Sequence, residues 1–251
     1  MISLDPPQDR LKTGVPLYIQ IAEGLLDRIE AGDLAPGDRL PPERELSRAL
    51  SVNRMTLRNA LRVLEQQGLL IRRQGDGTYV AAPKVERQAG YLFSFTKGMQ
   101  SRGYTPGAKV IHLERRPVEA SIGRQLGLGA SATVYSIQRL RLLNRQPVLL
   151  EEFTIPVERF PSLEDHDLEG RSLYEIMESE YQVAVTRARQ SLEPVLATEL
   201  EAELLEIEEG SPLMLERRIS FDEGERPVEH GKDLYRGDRF RFVTEMAPLE
   251  L

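Results

Sequence analysis

The chain has 251 residues, 40% of them hydrophobic and 29% charged, a length that suits two domains of unequal size and a composition that suits a globular protein. With no cysteine it builds neither a disulfide framework nor a thiolate nucleophile nor a cysteine-ligated zinc site, and no apolar run approaches the roughly 20 residues a membrane helix needs. The net charge of -7 is unevenly spread: residues 44–73 hold seven arginines against two glutamates, a local charge of +5 in an otherwise acidic chain.

The opening MISLDPPQDR lacks the apolar core of a secretory signal, so a cytoplasmic location away from membranes is expected. Tyr18, Ile21, Ala22, Leu25 and Ile29 recur at helical spacing and predict a helix from Pro16 to Ala31. A turn at Pro36-Gly37 leads to Leu40-Pro41-Pro42 and a short helix over Glu43 to Leu50. A third helix starts with Asn53 as its N-cap. Leu57, Ala60, Leu61, Val63 and Leu64 form its apolar back, while Arg54, Arg58 and Arg62 repeat every four residues on its front. Beyond Gly68, strands at 69–72 and 78–80 flank a basic, glycine-rich tip, Arg73-Gln74-Gly75-Asp76-Gly77.

Two short helices, an arginine-faced helix and a basic hairpin make a winged helix-turn-helix, in which the third helix enters the major groove and the hairpin reaches the adjacent one. A row of arginines on a single helix is more often a solvated face. Here Arg44, Arg72 and Arg73 add the same sign within the same short segment, and that coincidence favours DNA.

Residues 81–90 show little periodicity and are expected to be a linker between a domain at 1–80 and one at 91–251. From Tyr91 onward strands are expected at 108–113, 134–143, 148–155, 183–192, 213–222, 227–234 and 240–246, with helices at 96–102, 121–126, 173–181 and 199–205. Hairpin-length turns at 143–146 and 222–225 predict a largely antiparallel sheet, so the fold class is α+β. Thr198 and Glu201 form a candidate cap for the last helix, whose acidic run reads as a solvated face.

On the strand 134–143, Tyr135 and Ile137 share a face with Arg139 and Arg141, and buried cations need an anion, either a ligand or Glu151 or Glu152. A two-residue turn at Asn144-Arg145 puts Glu152 on the arginine face, whereas a bulge or a one-residue longer loop restores Glu151. Ser94 and Thr96 sit at a helix start, beside Lys97, where an anion is favoured. Ser172 forms a capping box with Glu175 as its first role and a ligand contact as its second. Glu229 and Tyr235 suit the hydroxyls of a phosphorylated sugar whose phosphate the arginines hold.

Residues 17–80 resemble the DNA-binding domain of GntR-family bacterial regulators. The resemblance rests on Leu17-Tyr18-x-Gln20-Ile21, Gly32-x-Leu34-x-Pro36-Gly37-x-x-Leu40-Pro41, Glu43-Arg44-Glu45-Leu46, Arg54-x-Thr56-Leu57-Arg58-x-Ala60-Leu61 and Gly75-x-Gly77-Thr78-Tyr79-Val80. It implies operator contacts from Arg44, Arg54, Thr56 and Arg58, with Gly75 and Gly77 in the wing tip. Two positions depart from the family pattern, Pro42 and Asn53, each usually serine; the first removes a capping hydroxyl and the second alters how a base or phosphate is met.

The remainder resembles the UTRA domain of the HutC-type subgroup, through Ser94-Phe95-Thr96, Arg139-Leu140-Arg141, Pro147 with Glu151, Ser172-Leu173-Tyr174, Arg226-Pro227-x-Glu229 and Tyr235-Arg236-Gly237-Asp238-Arg239-Phe240. That resemblance implies a fold like chorismate lyase without its activity, a homodimer, Glu151 rather than Glu152 in the pocket, and Tyr174 among the effector-binding residues. The expected protein is a repressor that holds a near-palindromic operator and releases it on binding a small anionic metabolite. A DNA-binding module whose second domain only dimerises is the first alternative, and a small-molecule enzyme the second. His112, His166 and His230 are isolated, no nucleophile elbow or P-loop is present, and neither cofactor nor metal is expected.

Overall fold

A computed structural model describes residues 14–73, 75–90 and 94–245. The opening decapeptide, the start of the second domain at Tyr91, Gln74 of the hairpin tip and Met246 of the last expected strand lie outside the described residues. The chain divides into two compact units after Lys84.

The first unit contains α1 (Leu17–Glu30), α2 (Glu43–Ala49), α3 (Arg54–Gln66), β1 (Leu70–Arg73) and β2 (Gly77–Val80). Leu34, Leu46, Leu57, Ala60 and Leu64 are at most 1% exposed and form its centre, so the apolar back of α3 is consumed by packing and its front is left to water. β1 and β2 pair antiparallel from Leu70↔Val80 to Arg73↔Gly77. The preceding turn extends the hairpin: Leu40 N–H donates to Thr78 O at 2.8 Å and Val80 N–H to Asp38 O at 2.9 Å. This is the winged arrangement that the sequence predicts.

The second unit holds β3 (Val85–Gln88), α4 (Phe95–Gln100), β4 (Pro106–Pro117), α5 (Ala120–Leu126), β5 (Thr133–Leu143), β6 (Gln146–Pro156), α6 (Leu173–Tyr181), β7 (Arg187–Leu196), α7 (Glu199–Leu205), β8 (Pro212–Phe221), β9 (Pro227–Arg236) and β10 (Phe240–Val243). Six strands form an antiparallel sheet in the order β4-β5-β6-β9-β8-β7, while β3 and β10 pair in parallel beside it as a separate ribbon. The α+β class stands.

Three expectations are corrected. The presumed linker contains β3, which is too short and too polar to show a period in sequence. The strand expected at 183–192 begins at Arg187, because Val183 and Val185 alternate in order to plug an apolar cluster rather than to join the sheet. The capping box of Ser172 and Glu175 is not formed, whereas that of Thr198 and Glu201 is.

The sheet has two unlike faces. Leu140, Leu150, Leu215 and Leu234 point to the side covered by Ala202 and Leu205 of α7. On the other face, Tyr135, Ile137 and Ile155 pack under Ile176 and Met177 of α6 at one end. Leu149 and Tyr235 pack with Phe95 and Met99 of α4 and Phe240 at the other. Between these two apolar clusters lies a band of charge.

Candidate functional site

In the first unit, Asn53 caps α3: its Oδ1 accepts from Thr56 N–H at 2.8 Å, so that oxygen serves the helix. Thr56 lies half-buried in the first turn. Arg44, Arg54, Arg58 and Arg62 are exposed, Arg62 resting on Asn59 Oδ1 at 3.0 Å. Arg44 and Arg54 have no ion-pair partner among the described residues. Arg58 of α3 and Arg72 of β1 converge on one carboxylate, that of Glu43, at 2.7 and 2.5 Å. Arg73 covers the Tyr79 ring at 4.4 Å. Gly75 and Gly77 turn the hairpin with φ of +75° and +147°, and a Cβ at Gly77 would stand 2.9 Å from Arg39 Nε. Arg39 is a cation at the hairpin that the sequence did not single out.

In the second unit, the charged band opens into a cavity of about 310 Å³, at the small end of the roughly 300–1,000 Å³ usual for small-molecule sites. How the arginines reach it depends on β-sheet register. The β5–β6 turn has two residues, Asn144 and Arg145, both with positive φ. A bulge then slips the pairing from Leu142↔Pro147 to Arg141↔Leu149, skipping Val148, so Arg139 faces Glu151. The two-residue turn alone would set Glu152 against the arginines; the bulge brings Glu151 there instead, and Glu152 turns to the other face, 3.4 Å from Lys232 Nζ.

Arg139 Nη2 donates to Glu151 at 2.7 Å, Arg141 Nη1 to the same carboxylate at 3.4 Å, and Arg141 Nη2 to Thr96 Oγ1 at 2.9 Å. Ser94 Oγ and Ser172 Oγ stand 3.4 Å apart beside them, where the N-terminus of α6 also lines the cavity through Leu173 and Tyr174. Two guanidinium groups thus share one carboxylate at this end. It is cationic, and free helix-terminal amides reinforce it.

From Glu151 a row of carboxylates runs to the opposite end: Glu151, Asp233 and Glu216 stand side by side on β6, β9 and β8. Like charges in such a row repel, and buried arginines offset them. Arg87 of β3 grips Glu216 at 2.6 Å, and Arg218 pairs with Asp233 and, at 3.1 Å, with Glu229. Arg218 lies flat because the strand beside it has Gly231, where a Cβ would stand 2.7 Å from its Cζ. Phe153 lies against both Arg139 and Arg218, with ring centroid to Cζ distances of 5.5 and 5.1 Å.

Burial alone would raise the Glu151 carboxyl, but Arg141 and Arg139 outweigh it and hold the group below its usual range. Asp233 goes the other way: burial, with Glu151 and Glu216 on either side, pushes it up to about 7 in spite of Arg218. Arg139 Nε, Arg141 Nε and Asp233 Oδ1 are buried without a hydrogen-bond partner among the described residues, and all three side chains line the cavity.

Seven of the nine sequence-selected residues line this cavity: Ser94, Arg139, Arg141, Glu151, Ser172, Tyr174 and Tyr235. Thr96 joins it through Arg141. Glu229 does not line it. Wholly buried, its Oε1 accepts from Ser220 at 2.5 Å, Tyr174 at 2.9 Å and Arg218, so it orients the lining rather than forming part of it. Sequence reasoning missed Arg87, Glu216, Arg218 and Asp233. For the last three the only signal was charge at same-face positions of expected strands, as in Glu216-x-Arg218 and, with Gly231 between, Glu229-x-x-x-Asp233.

Residues 17–80 match the model of bacterial regulatory proteins of the gntR family, and residues 101–241 match that of the UTRA domain. The chain is 38% identical over 94% of its length to the HTH-type transcriptional repressor NagR of Bacillus subtilis (strain 168), 96% of which is covered. It is 31% identical over 91% of its length to the mannosyl-D-glycerate transport/metabolism system repressor MngR of Escherichia coli (strain K12), 95% of which is covered. Among solved structures, that of PhnF from Mycobacterium smegmatis superposes with a TM-score of 0.66 at 31% identity, over 90% of this chain and 99% of that one. These relatives are regulators, not enzymes.

Proposed function

The chain belongs to the gntR family of bacterial regulatory proteins and carries a UTRA domain, and from that premise we propose that it is a cytoplasmic repressor of the HutC type, released from its operator by a small anionic metabolite. As a member of this family it is a transcriptional regulator that binds DNA. The finer reading places the front of α3 in the major groove, with Arg44, Arg54, Thr56 and Arg58 facing the operator and Arg62, Arg72, Arg73 and the turn of Gly75 and Gly77 beside the backbone. A homodimer would present two such helices to successive major grooves of a near-palindromic site.

The observation that carries the effector half of the proposal is the polarity of the cavity. Arg139 and Arg141 share a single carboxylate next to Ser94, Ser172 and the N-terminus of α6, an arrangement suited to a phosphate or carboxylate. Asp233, Glu216 and Tyr235 at the far end suit hydroxyls. A phosphorylated sugar combines the two, and the MngR relative, a repressor of a mannosyl-D-glycerate transport/metabolism system, supports a sugar-containing ligand. Ligand binding then shifts the population toward a dimer geometry that the operator does not accept.

Thermal unfolding of the full chain with glucose 6-phosphate, inorganic phosphate and glucose tests the anion requirement. A phosphorylated ligand at about 100 times its Kd adds about 2.7 kcal/mol to stability, and Arg141→Ala abolishes the shift while glucose gives none. Stabilisation by the uncharged sugar alone would remove the anion site. Operator affinity indifferent to every metabolite tried would favour a second domain that only assembles.

A further inference from the structure

We propose that Glu43 is a positioning residue for DNA reading, a carboxylate that aims Arg58 and Arg72 at the duplex and suppresses their attraction to phosphate in general. The inference rests on the reading of α3 and the hairpin as the DNA-facing surface. Glu43 opens α2, and its two oxygens are divided between the other two elements of that surface. Oε2 accepts from Arg58 Nε of α3 at 2.7 Å, and Oε1 from Arg72 Nη2 of β1 at 2.5 Å. The side chain of Glu43 is 20% exposed, whereas those of Arg58 and Arg72 are 55% and 57% exposed, so the carboxylate lies behind two guanidinium groups that stand in water.

The bond to Arg58 uses Nε alone. Both terminal nitrogens stay free of other partners among the described residues, and this terminal edge is the one that meets paired acceptors such as O6 and N7 of guanine. Fixing Nε therefore selects the direction of the fork before DNA arrives, which lowers the ordering cost of a directional contact. The same anion acts in the opposite sense on phosphate. Its two arginines outweigh its burial, so Glu43 is held below the usual carboxylate range and stays ionised. Two cations sharing an anion release fewer counterions at random sequence than two independent cations do. Glu43 thus favours operator over unrelated DNA by raising the first affinity and lowering the second. Glu43 stands one position before the arginine-rich run 44–73.

The test uses the full chain, an operator selected from random duplexes, and an unrelated duplex of equal length, with dissociation constants measured across a salt series. Glu43→Gln, nearly isosteric, is expected to bind the unrelated duplex severalfold more tightly, to steepen the salt slope by about one, and to lower the ratio of operator to unrelated affinity about tenfold. Glu43→Asp keeps the charge but falls a methylene short. It retains the wild-type salt slope and loses operator affinity. Both pairs involve exposed arginines, so neither variant perturbs folding strongly, and equal thermal midpoints check this. A wild-type ratio and slope for Glu43→Gln, or wild-type operator affinity for Glu43→Asp, overturns the inference. Arg58→Ala and Arg72→Ala separate the two layers: if neither alters binding to any duplex, the DNA-facing assignment itself is wrong and the inference falls with it.

Discussion

Arg54 and Arg218 are the same side chain under opposite constraints. Arg54 stands on the front of α3 in water, with no carboxylate partner among the described residues. Arg218 is 8% exposed, lies on Gly231 beneath Phe153, and meets Glu229 and Asp233. In the first unit, charge is kept away from the core and left for a partner of opposite sign. In the second, charge has been taken inside, where each cation needs an anion to offset its desolvation and each carboxylate in the row needs a cation to offset its neighbours. Arginine content alone does not distinguish the two; the distribution of carboxylates does.

The comparison breaks most sharply at Arg218. Its replacement by alanine leaves Glu229 and Asp233 buried without their cation and is expected to lower unfolding stability by about 3–5 kcal/mol, read from the urea midpoint. A midpoint within error of wild type would mean that the buried band is no tighter than the surface. Arg54→Ala is the mirror experiment. Operator affinity falls by about 1–3 kcal/mol if Arg54 reads a base edge, while the urea midpoint stays put, since an exposed unpaired side chain contributes little to folding.

The smallest effect concerns pH. Asp233 has a folded-state value of about 7 against an ordinary 3.8. The native state therefore keeps a proton that the unfolded chain sheds, and stability falls as pH rises from about 4 to about 7. Between about pH 6 and pH 8 this group alone contributes a decline of about 1 kcal/mol. Asp233→Asn, neutral throughout, is expected to flatten that part of the stability curve. Parallel curves for the variant and wild type would show that Asp233 is ionised across the range.

Much of the first unit was legible in the chain because its rules are local. The period of Leu57, Leu61 and Leu64 declares the buried side of α3, Asn53 its start, and paired glycines the hairpin tip. The second unit was legible where the same rules apply, as in α6 and α7, whose bounds were read correctly. Beyond that, strand order matters. β6 pairs with β9, more than 70 residues later, and no local pattern announces that Glu151 will stand beside Asp233. Arg87 was hidden for a related reason: its strand pairs with β10 near the far end of the chain.

By itself the sequence determined the two-domain plan, the arginine face of the third helix and the placing of Arg139 and Arg141 on one face of their strand, because helix period, strand alternation and local charge are properties of neighbours in the chain. Only the tertiary structure decided that Glu229 orients the cavity lining from behind and that Asp233 lies at the middle of a carboxylate row. It also decided that one skipped residue at Val148 brings Glu151 to the arginines. A side chain's electrostatic partner is set by which strands lie side by side and in what register, and register is fixed by the closing of the whole sheet.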